Sequence, residues 1–281
     1  MKMVIDANYF EHEDLRNYLR SSRENIAVLI DYAGMEMRKG DALRNVSRSL
    51  SILCQFPKQV LVLKGTREVA GLRMATQGLD KRLIDKTQTR DFAQFCAQTH
   101  RAVNGDKLLL AALEDSTRTA KDHFDAMQKG MEQMEVVVAG YATRFTQKEL
   151  SELRTGRAYG PELDARIAEH VFELWATVRQ SHPDVKRAAN VEEAVNNIVF
   201  RYTAAGYVWL LEKLRSGVSI ENVLSPKKVT SDFIDIVYVA YATYFDGILS
   251  KETRVQRNYE QTLAMLKNNV PNAYFSRRRH P

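Results

Sequence analysis

The sequence predicts an α/β fold built on a parallel sheet, and three observations carry that expectation. Short apolar runs recur early in the chain, at Met3–Ile5, Asn25–Asp31 and Gln59–Gly65. Their apolar character is continuous, as it is in strands buried on both faces of a parallel sheet. Segments with apolar residues at helical spacing separate them, so strand and helix alternate through residue 65 in the manner of βαβ units.

The first run, Met3-Val4-Ile5-Asp6-Ala7-Asn8, ends in a carboxylate followed by an amide. Open α/β folds place their chemistry at such C-terminal strand tips. Glu11–Arg23 reads as a helix with Leu15, Tyr18 and Leu19 on one face, and Asn25–Asp31 is the second strand. Tyr32–Phe56 is expected as one helix, with Leu43, Val46, Leu50 and Leu53 at helical spacing and Pro57 closing it before the third strand.

From about residue 85 to 228 the pattern is nearly all helical, an insertion into an α/β domain formed by residues 1–84 and 229–281. Thr146-Gln-Lys-Glu149 and Asn190-Val-Glu-Glu193 have the form of helix starts, a capping side chain three residues before an acid. Leu163, Ile167, Val171, Leu174 and Val178 form one apolar stripe; Val191, Val195, Ile198, Tyr202, Trp209 and Leu214 extend the pattern through the next helix. Such stripes are packing surfaces. Ser231–Tyr244 then reads as a helix, Asp246–Glu252 as a short strand, Thr253–Asn268 as a helix and Asn272–Phe275 as a fifth strand before the basic tail Arg277–Arg279. Five parallel strands would carry their C-terminal tips on one side.

Composition narrows the class. With 44% hydrophobic and 27% charged residues the chain is ordinary for a globular protein, and 6 Pro and 13 Gly in 281 residues favour long helices over structureless loops. A net charge of +6 permits a polyanionic partner. No run reaches the ~18 apolar residues of a membrane span, and Glu11, Glu13 and Asp14 interrupt any leader-like start, so a cytoplasmic protein without a membrane partner is expected. Cys54 and Cys96 lack metal-ligand or disulfide-framework spacing and read as separate buried thiols in a reducing compartment. The six histidines, at 12, 100, 123, 170, 182 and 280, have no metal-binding spacing. The absence of a Gly-rich phosphate loop and of a Gly-x-Ser-x-Gly elbow argues against a nucleotide-hydrolysing motor and an α/β-hydrolase.

The chemistry lies in the acids at or beyond the strand tips. Asp6 ends the first strand, Glu36 lies about one turn past the second, and Ser250 and Glu252 close the penultimate one. Asp232 and Asp235, three residues apart and so on one helix face, open the helix that leads to it. Carboxylates converging there repel unless a cation holds them, and hard oxygen donors select Mg²⁺ or Mn²⁺.

The order of these pieces resembles the PIN-domain family of metal-dependent nucleases. The matching residues are Asp6 and Asn8, then Glu36, then Asp232 or Asp235, then Ser250-Lys251-Glu252. The long small-residue helix of 232–244 running into the last strand is the most extensive part of the likeness. It covers about residues 1–65 and 229–276. The chain departs from the family's usual pattern in having Glu252 where Asp is usual, Ser250 where Thr is common, and a large helical insertion before the third acid.

The resemblance implies a PIN-like parallel sheet sandwiched by helices. It further implies an endonuclease in which Asp6, Glu36, Asp232 and Glu252 are catalytic and bind Mg²⁺ or Mn²⁺ together with Asp235, supported by Asn8 and Ser250. RNA is the expected substrate because the family most often cuts RNA; the residues themselves do not separate it from single-stranded DNA. A role as a toxin or phage-defence effector restrained by an inhibitory or activating protein partner follows by the same analogy. The insertion could gate the site, bind that partner or form a homo-oligomer. The competing readings are a catalytically inactive nucleic-acid-binding or regulatory module on the same fold, and a phosphatase or flap-type nuclease with the same acids. For nucleic-acid binding the candidates are Lys64, Arg67, Arg73, Lys81 and Arg82, in an interval that also holds Lys86 and Arg90 against Glu68, Asp80 and Asp85.

Overall fold

The computed structural model describes residues 1–73, 78–155, 160–180, 185, 188–216 and 225–269. Four parallel strands form its sheet: β1 (Lys2–Ile5), β2 (Ile26–Leu29), β3 (Val60–Val62) and β4 (Gly247–Leu249), in the order β3-β2-β1-β4. Val4 pairs with Val28 on one side and Ile248 on the other, and Val28 pairs in turn with Leu61. The α/β class is therefore as expected. The expected fifth strand and the basic tail lie outside the described residues.

Helices flank this sheet. Between the first three strands run α1 (Glu13–Ser21), α2 (Asp31–Glu36) and α3 (Ala42–Leu53). After β3 come three short helices, α4 (Thr66–Ala70), α5 (Leu79–Leu83) and α6 (Lys86–Arg90), and then α7 (Phe92–Val103) and α8 (Lys107–Gly130). Next are α9 (Met134–Ala142), α10 (Gln147–Arg154), α11 (Pro161–Gln180), α12 (Val191–Val195) and α13 (Ile198–Ser216). The chain re-enters the sheet through α14 (Pro226–Ala242) and β4, and α15 (Thr253–Asn269) follows.

Local chemistry sets several of these boundaries. Thr146 and Glu149 form a complete capping box at the start of α10, and the Asn190 side chain accepts from the Glu193 amide at the start of α12, both as the sequence indicates. The single helix expected over Tyr32–Phe56 is instead two. Gly40 adopts a φ of 71°, and Asp41 caps α3 by accepting from the Arg44 amide, so a turn interrupts the apolar periodicity. A second break falls at Asn196-Asn197, where the Asn197 side chain accepts from the Val199 amide. That break separates α12 from α13; Val191, at the start of α12, is 56% exposed and so is not part of the buried stripe. Gly247 sits opposite Met3, whose terminal methyl would lie 2.8 Å from an added Cβ and would have to shift to admit one.

The helices of residues 85–228 do not stand apart from the sheet. Strand residues Val4 and Val28, α3 residues Val46 and Leu50, and α13 residues Tyr207 and Trp209 belong to one continuous buried cluster. The Cys54 and Cys96 sulfurs form a disulfide that ties the end of α3 to α7 across 42 residues. This corrects the expectation of two separate thiols: the pairing follows from packing α7 on α3, which brings the Cα atoms to 5.7 Å, a proximity no local spacing encodes. It also removes the thiols as grounds for a reducing compartment. Among the described residues no helix is long and apolar enough to cross a membrane.

Arg201 in α13 is fully buried. Its guanidinium donates to the Thr243 carbonyl (2.8 Å), Thr243 Oγ1 (3.1 Å), Asn196 Oδ1 (3.0 Å) and the Val195 carbonyl (3.2 Å), and stacks 3.8 Å above the Tyr244 ring. The fork thereby satisfies the carbonyl groups that end α12 and α14 and joins the helical layer to the segment entering β4. Replacing Arg201 with Ala leaves those acceptors unsatisfied around a cavity, and a loss of about 3 kcal/mol in urea unfolding is the expected outcome.

Candidate functional site

β1 delivers Asp6 to its tip, where the residue is only 3% exposed. The Asp6 amide donates to the Leu249 carbonyl, which continues the β1–β4 pairing and brings Ser250 alongside. Ser250 Oγ donates to Asp6 Oδ2 at 2.5 Å and accepts from the Glu252 amide at 3.1 Å. Asn8 braces the same loop: its Oδ1 accepts from the Lys251 amide at 3.0 Å and its Nδ2 reaches Ser250 Oγ at 3.4 Å. Residues 244 apart in sequence are thus fixed as one unit.

Glu36 ends α2. One carboxylate oxygen accepts from the buried Tyr238 hydroxyl at 2.9 Å, and the other from Lys39 Nζ at 3.1 Å. Asp232 and Asp235 lie one turn apart on α14 but are served differently. Asp232, 2% exposed, accepts from Trp209 Nε1 at 2.8 Å and pairs with Lys213 at 3.3 Å. Asp235 pairs with Arg254 at 2.6 Å. The same guanidinium also holds Asp232 and, at 2.5 Å, Glu252. A cleft of about 230 Å³ opens beside these groups, lined by Trp209, Lys213, Asp232, Asp235 and Arg254 among others.

The electrostatics identify which acids act on one another. Burial pushes the Asp6 carboxyl up to about 6, with Glu36 and Glu252 adding to the rise and the Ser250 hydrogen bond opposing it. Burial likewise lifts Asp235 to about 8; Arg254 opposes this, while Asp6, Glu252 and Glu36 reinforce it. Asp6, Glu36, Asp235 and Glu252 therefore form one repelling set. Asp232 faces the Trp209–Lys213 side and contributes through Arg254.

The donors of that set are anionic oxygens, the kind a hard divalent cation takes, and burial raises the proton affinities of Asp6 and Asp235. Among the described residues no group of three or more His, Cys, Asp or Glu side chains is placed so that it could hold a metal ion, so the arrangement is a neighbourhood of acids and not a coordination cage.

His12 caps α1, His123 meets the Tyr32 hydroxyl at 3.0 Å, and buried His170 meets the Tyr207 hydroxyl at 2.7 Å. His182 and His280 lie outside the described residues. Of the basic candidates, Lys64 is paired to Glu68 at 2.7 Å and Arg82 donates to the Arg73 carbonyl at 2.9 Å. Arg73 is largely exposed near Glu193, and Arg67 lines a separate cavity of about 670 Å³ with Asp31, Thr66 and His123. Lys81 is exposed on α5, whose Asp80 is held by Lys2 at the opposite end of β1 from Asp6.

Sequence reasoning passed over Arg254, Trp209, Lys213 and Tyr238. Only Arg254 had a local signal, two residues beyond Glu252; the others reach the site from helices whose packing no spacing reveals. Asp31, at the tip of β2, accepts from the Thr66 amide and hydroxyl at 2.6 and 2.7 Å, so it ties the β2 and β3 tips together.

No family model, curated protein or solved structure matches the chain. The fold and the acidic neighbourhood together define an α/β protein with a four-stranded parallel sheet and carboxylates at its C-terminal edge.

A raised Asp6 proton affinity carries a signed consequence for stability. The folded chain holds that proton more tightly than the unfolded chain, so ionisation costs nothing below about pH 4 and its full amount above about pH 6. Asp6→Asn, which keeps an acceptor for Ser250, is expected to stabilise the metal-free protein by on the order of 2 kcal/mol at pH 8. The gain should fade as pH drops from 6 to 4. Denaturant unfolding across that range checks it.

Proposed function

We propose that the protein is a PIN-like, Mg²⁺- or Mn²⁺-dependent endonuclease that cuts single-stranded nucleic acid, RNA before DNA. One observation carries the reading: four acids from four elements are linked at the tips of a β3-β2-β1-β4 parallel sheet, Asp6 to the Glu252 amide through Ser250, Asp235 to Glu252 through Arg254, and Glu36 to α14 through Tyr238.

In this reading Asp6, Glu36, Asp235 and Glu252 hold the ion, and Asp232 belongs to their support. A bound divalent cation would supply an activated water and charge stabilisation at a phosphodiester. The residues of the chain orient the acids. Ser250 fixes the rotamer of Asp6, Asn8 fixes the loop that carries Glu252, and Tyr238 and Lys39 hold the two oxygens of Glu36. Lys64, Arg67, Arg73, Lys81 and Arg82 would supply phosphate contacts along the strand.

A specific observation also favours the second reading, an inactive nucleic-acid-binding module. Arg254 already supplies a positive charge to Asp232, Asp235 and Glu252, so the acids are partly neutralised without a metal. In that case RNA would bind through the basic side chains and remain intact.

Cleavage of single-stranded RNA and DNA in Mn²⁺ separates the two. The nuclease reading expects turnover abolished by chelator and reduced on the order of 100-fold or more by Asp6→Asn or Asp235→Asn. Asp232→Asn is expected to cost less, because Asp232 acts through Arg254. Binding without cleavage by the wild-type protein at any Mn²⁺ concentration would instead establish the binding module.

A further inference from the structure

A cavity of about 560 Å³ opens at the C-terminal ends of β2 and β3, between α2, α3 and α7. None of the acids at the β1 and β4 tips lines it. Its size is that of a small-molecule site, and open α/β sheets bind ligands at such strand ends. Arg38, two residues past α2, is half-buried in its wall. Its Nη1 donates to the Gly34 carbonyl and its Nε to Ser116 Oγ on α8 at 3.0 Å. A Cβ at Gly34 would lie 3.2 Å from Nη1, so the bare backbone there gives the guanidinium its place. Among the described residues no carboxylate pairs with it, and burial lowers its pKa with no acid to offset the loss. The two acids in the cavity wall are committed elsewhere. Asp31 accepts from the Thr66 amide and hydroxyl and from the Tyr32 amide; Asp91 pairs through both oxygens with Arg90, at 2.7 and 2.9 Å. Gln94 and Gln98, one turn apart on α7, also line the cavity, and their side-chain amides make no hydrogen bond among the described residues. A second cavity of about 240 Å³ shares Arg38, Phe95 and Gln98 with the first.

We propose that this cavity binds a small aromatic carboxylate, with the carboxylate on Arg38 and the ring against Phe92 and Phe95. Taking a charge out of water without a partner is costly, so partly buried cations are normally paired. Here the chain offers Arg38 only neutral oxygens, and the missing counter-ion is one that a ligand brings. The planar guanidinium fork matches a carboxylate. Among the described residues Arg38 is the one Lys or Arg side chain in the wall, which suits a single negative charge better than a phosphate monoester carrying nearly two. The Phe92 and Phe95 rings, with centroids 6.2 Å apart, together with Val46 and Leu50 give an apolar wall for a flat body. Gln94 and Gln98 can each donate and accept, and so can serve the ligand's remaining polar atoms. The inference is independent of the nuclease reading, since it uses none of the acids assigned to that site.

Ligand-observed NMR titration of the full chain tests this with four probes: benzoate, 2-naphthoate, its neutral counterpart 2-naphthamide, and 2-naphthyl phosphate. The expected result is saturable binding of 2-naphthoate with a Kd of about 1 mM or below, on the order of tenfold tighter than 2-naphthamide. Arg38→Gln is expected to erase that margin. Gln98→Glu, which adds an acid to the wall that holds Arg38, is expected to weaken 2-naphthoate by a similar factor. Circular dichroism confirms that each variant is folded, and Gln98→Glu carries the test if Arg38→Gln is not. Failure of both carboxylates to bind the wild-type protein at millimolar concentration overturns the proposal. So does equal affinity for 2-naphthoate and 2-naphthamide, or undiminished 2-naphthoate binding in the folded variants. Tighter binding of 2-naphthyl phosphate than of 2-naphthoate overturns the assignment to a carboxylate.

Discussion

Carboxylates gathered at one end of a parallel sheet cannot all be buried and ionised without compensation, and much of this molecule's architecture around the sheet tips answers that constraint. Asp6 is nearly enclosed, and burial together with Glu36 and Glu252 raises its proton affinity. The compensation comes from every direction: a hydroxyl from the β4 exit, a tyrosine from α14, a lysine from the turn after α2 and a guanidinium from α15. The polypeptide supplies fewer positive charges there, from Lys39, Lys213 and Arg254, than the five acids it gathers.

The sheet is what makes that gathering possible. β1 is central, flanked by β2 and β4, so the segments leaving those three strands all emerge beside Asp6. α14 then runs across the same region and contributes Asp235 and Tyr238, one turn apart on the same face. The helical layer of α13 supports α14 from behind, with Trp209 and Lys213 fixing Asp232 and buried Arg201 fixing the turn that leads into β4. Helices far from the sheet in sequence are therefore part of the scaffold of the site.

Much of the fold was legible because it depends on local chemistry. Continuous apolar runs marked the first three strands, the short Asp246–Glu252 segment contained the fourth, and the Thr146–Glu149 and Asn190–Glu193 pairs marked helix starts. Where periodicity misled, a local signal had been outweighed: Gly40-Asp41 and Asn196-Asn197 break helices that the spacing of apolar residues alone would join. The acids of the site could be named from their place at strand tips, yet their division into roles could not. Asp232 and Asp235 share a helix face, and only packing turns one to Trp209 and the other toward Asp6, Glu36 and Glu252.

The sequence by itself determined the alternation of strand and helix, the delivery of Asp6 and Asn8 to a strand tip, and the acidic character of the segments beyond the other tips. These follow from periodicity of 2 or 3.6 residues and from capping and turn chemistry, which act over a few positions. Tertiary structure alone decided the Cys54–Cys96 bond, the burial of Arg201, and the capture of Asp232, Asp235 and Glu252 by one guanidinium. The first two are set by how distant helices pack. The third depends on α15 returning to α14, and no spacing along the chain records that approach.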